Sequence, residues 1–162
     1  MTRTMLIAIA LLALLAPSAM AQQPGVVSSI GPRVGFSASP DQFVFGGQLT
    51  VGPIAPRLMF SPGVEVGVGD NETVVSGNFD LHYHLMVRES AWSPYLGAGM
   101  GVHNETLERR FGNDLTETNV GGNLLFGVTA PSGARSRFFT ELKLGLGDGP
   151  SMKMMAGWNF GM

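Results

Sequence analysis

The stretch Tyr95-Leu-Gly-Ala-Gly-Met-Gly-Val102 alternates between apolar residues and glycines after its first residue. The apolar positions are Leu96, Ala98, Met100 and Val102. The intervening positions hold Tyr95 and glycines. Strict alternation is typical of a β-strand, because successive side chains point to opposite faces of a sheet. The stretch therefore predicts a strand with one apolar face and one face of mostly small residues.

The same alternation returns near the C-terminus, where it separates charged residues from apolar ones. One parity carries Phe138, Thr140, Leu142, Leu144 and Leu146. The other carries Arg137, Phe139, Glu141, Lys143 and Gly145. Similar patterns cover about 31–39, 43–52, 57–69, 74–86, 119–128 and 152–162. An apolar face opposite a polar one on strand after strand is typical of barrels with lipid outside and a polar lumen. We therefore predict an all-β fold, an eight-stranded antiparallel up-and-down transmembrane β-barrel.

Residues 1–21 have the features of a cleaved signal peptide. Arg3 supplies a positive charge, Met5–Ala16 is an apolar run too short to span a bilayer as a helix, and Ala19-Met20-Ala21 forms an A-x-A cleavage site. The barrel domain then covers residues 22–162. The chain contains no Cys, which excludes a lipoprotein anchor and disulfides. We expect export through the inner membrane to the bacterial outer membrane.

The composition limits the classes of partner and explains the many glycines. The formal net charge of -2 is too small to indicate a nucleic-acid partner. The chain contains 23 glycines, which alternate with apolar residues inside the predicted strands. Glycines that point inward make room for large neighbours in a narrow barrel.

Three segments carry a resemblance to a known family. They are Pro94–Val102, Gly121–Val128 and the closing Ala156-Gly-Trp-Asn-Phe160. In these segments the chain resembles the small eight-stranded outer-membrane barrels of the OmpA-domain and OmpX type. The resemblance implies roles in adhesion, envelope integrity or defence, and insertion by the barrel-assembly machinery. Family members commonly end on an aromatic residue, whereas here Phe160 is followed by Gly161 and Met162.

Charged and polar side chains share the inward parity on several predicted strands. This set comprises Arg33, Glu65, Asp80, His82, His84, Arg137, Glu141, Lys143 and Lys153. An unpaired ion in a narrow interior is costly. We therefore expect opposite charges to pair across the lumen.

Aromatic residues on the outward parity cluster at one end of the predicted strands. They are Phe60, Tyr83, Phe138, Trp158 and Phe160, together with Trp92 at the start of predicted strand five. Aromatic rings favour the membrane interface, where an apolar ring and a polar edge are both accommodated. We predict a periplasmic aromatic girdle.

The inward column of strand four also permits a catalytic or a metal-binding interpretation. Ser76, Asp80, His82 and His84 are residue types used for nucleophile, orienter and base. However, same-face neighbours on a strand are roughly 6.5–7 Å apart, beyond a direct hydrogen bond. His82 and His84 share a face, but no third strong metal ligand accompanies them. We predict no catalytic residues, no metal and no cofactor.

Residues 104–119 form the one long predicted extracellular segment. Its candidate contact residues are Glu108, Arg109, Arg110, Phe111 and Asp114. A hairpin over 105–118 with an exposed edge is a candidate surface for lipopolysaccharide or a surface protein. A solvated hairpin without a ligand is the alternative.

The leading functional prediction is a non-enzymatic outer-membrane barrel with a structural or surface-interaction role. A small pore or ligand-carrying barrel is the second interpretation, and a membrane-embedded lipid-modifying enzyme is disfavoured. A soluble lipocalin-like barrel would instead place the apolar residues inside and the charged residues outside. The face that carries Arg33, Glu65, Lys143 and Lys153 decides between the membrane and the soluble barrel.

Overall fold

The computed structural model describes residues 27–70, 72–107 and 115–162. The predicted signal peptide lies outside them. The strands are β1 (Val27–Ala38), β2 (Gln42–Ala55), β3 (Leu58–Gly69), β4 (Glu72–His84), β5 (Ser93–Leu107), β6 (Leu115–Pro131), β7 (Ser136–Gly147) and β8 (Met152–Gly161). Each strand pairs antiparallel with the next, and β1 pairs with β8, so the sheet closes. The predicted eight-stranded antiparallel up-and-down barrel is confirmed. In the described part of the chain, no helix has the length and apolar character needed to cross a bilayer.

Several strands extend further than the alternation predicts, although β4 ends at His84 rather than Met86. β1 begins at Val27 rather than Gly31, and β6 covers Leu115–Pro131 rather than 119–128. The added residues include the polar Thr116–Asn119, where one face is no longer apolar. Backbone pairing continues there, because hydrogen bonding in a ladder does not require alternating side chains.

The two faces of the sheet differ in burial as the predicted parity requires. On β8, Lys153 and Met155 are buried, whereas Met154 and Trp158 are exposed. On β1, Arg33 is buried, whereas its neighbours Pro32 and Val34 are exposed. Charged residues therefore point into the barrel, and large apolar residues point out of it.

Large interior side chains face glycines on the neighbouring strand. The register pairs Tyr95 with Gly127, Leu125 with Gly97, Phe139 with Gly157, and Met155 with Gly35. A Cβ added at Gly157 would lie 2.8 Å from Cε1 and Cζ of the Phe139 ring. The glycines thus leave the volume that the opposite side chains occupy.

Candidate functional site

The barrel interior contains six charged side chains that are nearly inaccessible to solvent. They are Arg33 on β1, Glu65 on β3, Asp80 on β4, Glu141 and Lys143 on β7, and Lys153 on β8. None of the six is more than 6% exposed. Because the charges are inside and the large apolar residues outside, the arrangement of a lipocalin-like soluble barrel is excluded.

Arg33 joins two carboxylates on opposite sides of the interior. Its Nη2 donates to Oε1 of Glu141 at 3.0 Å, and its Nε lies 3.3 Å from Oε1 of Glu65. The Nε contact is an ion pair without hydrogen-bond geometry. Nη1 donates to Oε1 of Gln48 at 2.9 Å, and Gln48 in turn donates to Asn159 at 2.9 Å. The guanidinium therefore uses its planar fork to link several walls of the barrel.

Two lysines complete the cluster above Arg33. Lys153 Nζ donates to Oε2 of Glu65 at 2.8 Å. Lys143 Nζ donates to Asp80 and lies 3.7 Å from Oε1 of Glu141 and 4.0 Å from Oε1 of Glu65. Three cations and three carboxylates are thus interlocked rather than arranged as separate pairs. This interlocked group, defined by the six charged residues, is called the ion-pair cluster below.

Tyr95 is a member of the site that the sequence interpretation did not single out. Its hydroxyl donates to Oε2 of Glu141 at 2.8 Å, and its ring stacks on His82 with centroids 4.8 Å apart. The sequence does contain an indication that Tyr95 points inward, because it shares its parity with the inward glycines at 97, 99 and 101. A large polar residue in a column of glycines indicates that the glycines make room for it.

Two of the predicted lumen residues lie apart from the ion-pair cluster. Arg137 is exposed, and its Nη2 donates to Oγ1 of Thr129 at 3.3 Å. His84 is half-buried and packs at 5.3 Å from the ring of Tyr95. Both residues sit close to a strand end, where an inward side chain reaches the barrel mouth and water.

One histidine of β4, His82, and one of β5, His103, bond to serines. His82 Nδ1 lies 3.3 Å from Oγ of Ser61, and His82 Nε2 lies 3.6 Å from Oε2 of Glu141. His103 Nδ1 lies 2.8 Å from Oγ of Ser76. Ser61 is 1% exposed, so a substrate has no access to its hydroxyl in this conformation. Among the described residues, no group of three or more His, Cys, Asp or Glu is arranged to hold a metal ion.

The six predicted girdle residues lie near the end of the barrel that carries the β2–β3, β4–β5 and β6–β7 turns. Phe138 and Trp158 are register partners, with ring centroids 5.1 Å apart. Trp92, Trp158 and Phe160 are exposed. The remaining members are Phe60 and Tyr83, on β3 and β4. At the opposite end, Phe36 and Phe43 pack edge to face at 5.3 Å.

The ladder between β5 and β6 extends beyond the ladder between β6 and β7. It reaches the pair Leu107↔Leu115, whereas the β6–β7 ladder reaches only Gly121↔Gly147. The predicted contact residues Glu108, Arg109, Arg110, Phe111 and Asp114 lie outside the described residues. At the same end, burial and the negative charge of Glu105 raise the pKa of the Glu72 carboxyl above its usual range.

A small pocket lies above the ion-pair cluster. Its lining comprises Asn78, His103, Gly122, Asn123, Lys143, Gly145, Gly149, Pro150 and Lys153. Gly149 and Pro150 belong to the β7–β8 turn, so the pocket lies at the same mouth of the barrel as the rising β5–β6 ladder.

Solved structures of small outer-membrane barrels are similar to this chain. The N-terminal β-barrel domain of Pseudomonas aeruginosa OprF has a TM-score of 0.71 at 14% identity, covering 86% of this chain and 100% of that one. Neisserial surface protein A has a TM-score of 0.66 at 14% identity, with coverages of 86% and 98%. The Yersinia pestis outer membrane protein Ail has a TM-score of 0.51 at 9% identity, with coverages of 83% and 99%.

The sequence matches no protein-family model and no curated protein. At such low identities, structural similarity establishes the fold and not the function. The chain has the fold of the small eight-stranded outer-membrane barrels, as the sequence resemblance predicts.

Proposed function

We propose that this protein is a non-enzymatic barrel of the bacterial outer membrane with a structural role, and that the ion-pair cluster braces it from inside. The observation that carries the proposal is that apolar side chains cover the outer face of the barrel wall and charged side chains lie inside it, the reverse of a soluble protein. Leu124, Phe126 and Leu144 are exposed on the outside, whereas Arg33 and Glu141 are buried on the inside. Water cannot stabilise such an outer surface, but lipid can.

The dimensions of the barrel suit a bilayer. β3 has 12 residues, which at about 3.4 Å per residue extend roughly 40 Å. A strand tilt of about 35–45° reduces this length to roughly 30 Å along the membrane normal. This height accommodates an apolar band of about 25 Å between aromatic girdles. The predicted signal peptide supports the same location, because it directs the chain out of the cytoplasm.

The filled interior favours a structural barrel over a pore. Beside the ion-pair cluster, Tyr95, Leu125, Phe139 and Met155 also point inward, and each is at most 4% exposed. Eight strands enclose an interior just wide enough for side chains to fill. We therefore expect no steady conductance from the purified protein in planar bilayers. Reproducible single-channel currents would favour the small-pore alternative instead.

Depth-dependent fluorescence quenching tests the membrane location. Trp158 belongs to the girdle, so lipids brominated near the headgroup should quench its fluorescence more than lipids brominated near the bilayer centre. Trp92 is to be replaced by Phe to isolate this signal. A protein that reaches its folded state in aqueous buffer, without lipid or detergent, would contradict the proposal.

The hairpin over residues 105–118 is the surface that we propose for contact with lipopolysaccharide or a surface protein. Its support is the β6 backbone from 115 to 120, which pairs with β5 but has no partner on its other side among residues 27–70, 72–107 and 115–162. An unpaired strand edge can accept an extended peptide. During insertion, the same barrel is a substrate for the barrel-assembly machinery.

A further inference from the structure

The pocket at the barrel mouth is richer in hydrogen-bond donors than its protein partners require. Its lining residues include Lys143, Lys153 and Asn78, whose side chains carry N–H donors. The carboxylates that pair with these lysines are not among the lining residues. The lysines thus lie between the carboxylates on one side and the pocket on the other.

The lysines have donors to spare. An ammonium carries three N–H donors. Lys153 donates one of them to Glu65, and Lys143 donates one to Asp80. Lys153 therefore keeps two N–H groups for an occupant of the pocket, whereas those of Lys143 also face Oε1 of Glu141 at 3.7 Å and Oε1 of Glu65 at 4.0 Å.

Asn78 provides an independent indication of an occupant. Its side chain is 2% exposed, and its Nδ2 is buried without a hydrogen-bond partner in the described part of the chain. Buried polar groups are nearly always paired with protein, water or an ion. Asn123 contributes one unpaired acceptor, Oδ1, because its Nδ2 donates to Asp80 at 3.3 Å. An unpaired donor and an unpaired acceptor are thus both buried in residues that line the pocket, next to the two lysines.

The size of the pocket limits the occupant. The space open to the centre of a water-sized sphere is about 20 Å³, and one water molecule needs about 10–15 Å³ on this measure. A space of this size holds one small occupant, such as a water molecule or a single atomic anion, and the two neighbouring lysine charges favour the anion.

We propose that this pocket binds a halide ion of the size of chloride, held by Lys143, Lys153 and Nδ2 of Asn78. The anion accepts the donors that the protein leaves unused, and it lies next to two positive charges. The inference rests on the geometry of the pocket and does not depend on the location of the barrel in a membrane.

The test is NMR spectroscopy of the refolded ¹⁵N-labelled protein in detergent micelles. Sodium gluconate is replaced stepwise by sodium chloride at constant ionic strength, and the side-chain amide signal of Asn78 is followed. We expect a saturable shift with chloride and with bromide. The side-chain amide of Asn104, which donates to Thr118 at 3.0 Å outside the pocket, is the internal control and should not move.

The variant Asn78→Asp places a carboxylate at the pocket wall and should weaken chloride binding roughly tenfold or more, the scale of one lost hydrogen bond to an ion plus charge repulsion. For this variant, the backbone amide of Gly149 replaces the lost side-chain signal as the reporter. If Asn78→Asp does not fold, the wild-type titration decides alone. A linear or absent response to chloride, or equal responses of Asn78 and Asn104, would overturn the proposal.

Discussion

Tyr95 lies directly across the β5–β6 ladder from Gly127, and its hydroxyl donates to Oε2 of Glu141 at 2.8 Å. The glycine leaves the space that the ring needs, and the ring in turn carries a hydrogen-bond donor to a buried carboxylate. Packing and charge are therefore coupled in this barrel: a change of volume at Gly127 reaches the ion-pair cluster through a single side chain.

The variant Gly127→Ala should destabilise the barrel. The added methyl group would overlap the ring of Tyr95, and overpacking of this kind costs about 1–3 kcal/mol. Urea titration of the protein in lipid vesicles measures the loss. Gly77→Ala is the matched control, because a Cβ at Gly77 meets nothing within 4 Å. Equal stability of the two variants would show that the interior has spare room.

Removal of the central carboxylate should have a larger effect. Glu141 contacts Arg33, Lys143 and Tyr95, so Glu141→Ala leaves buried cations without their full set of partners. Breaking a buried ion pair from one side costs about 3–5 kcal/mol. The midpoint of urea unfolding provides the measurement, and the exposed Glu117→Ala serves as control. A loss below about 1 kcal/mol would mean that the cluster does not brace the barrel.

A charge on the outer wall should hinder folding into lipid. Val64 is 46% exposed near the middle of β3, and Val64→Arg should cost about 2–4 kcal/mol if this position faces the bilayer midplane. Thr116→Arg, on the rising part of β6, should change little. Heat-modifiable migration on a gel reports the folded fraction. Equal tolerance at both positions would count against a lipid-facing wall.

Acidification should raise the contribution of Glu72, the first residue of β4, to the free energy of unfolding. Because burial and Glu105 raise the pKa of Glu72 above its usual range, ionisation of Glu72 is less favourable in the folded state than in the unfolded state. The loss of stability caused by ionised Glu72 is fully present at neutral pH and disappears when the pH falls below the usual pKa of the carboxyl. Glu72→Gln should therefore stabilise the barrel at pH 7, by less than about 1 kcal/mol, and have no effect near pH 3. A gain that is the same at both pH values would exclude this cause.

Shortening the β5–β6 hairpin should remove binding without unfolding the barrel. In the proposed variant, Asn-Gly replaces residues 105–117, so a tight turn joins Asn104 to Thr118, which are register partners. The deleted part lies above the ladder that β6 forms with β7, and on the β5 side it removes only the pairing of residues 105–107 with the first three residues of β4. Binding to lipopolysaccharide vesicles should fall. If the shortened barrel folds and binds as well as the intact protein, the hairpin is not the contact surface.

The direction of each side chain could be predicted from the sequence, but the partner of each charge could not. Side chains alternate between the two faces of a strand, so the apolar positions of each strand are enough to predict that Arg33, Glu65 and Lys143 point inward. Which carboxylate each cation meets depends on the register and tilt of strands that are far apart in the chain. The Arg33–Glu141 bond, for example, spans 108 positions, and no local pattern encodes it.

The same limit applies to the pocket and to strand length. The pocket requires Asn78 of β4 and Lys153 of β8 to converge at one mouth, which follows only from closure of the sheet. The extension of β6 to Leu115 depends on a partner strand rather than on its own polar sequence. By contrast, the inward position of the glycines was predictable, because they share their parity with the charged residues.

Four large interior residues, Tyr95, Leu125, Phe139 and Met155, each pair with a glycine on the adjacent strand. For them the unit that natural variation can alter is the cross-strand pair and not the single residue. Met155 and Gly35 occupy one such pair, and together they hold a fixed amount of volume. An exchange of the two residues conserves that volume while moving the bulk to the neighbouring wall. Reciprocal substitutions of this kind can therefore change the shape of the filled interior among relatives, even where the residue at any one interior position is not retained.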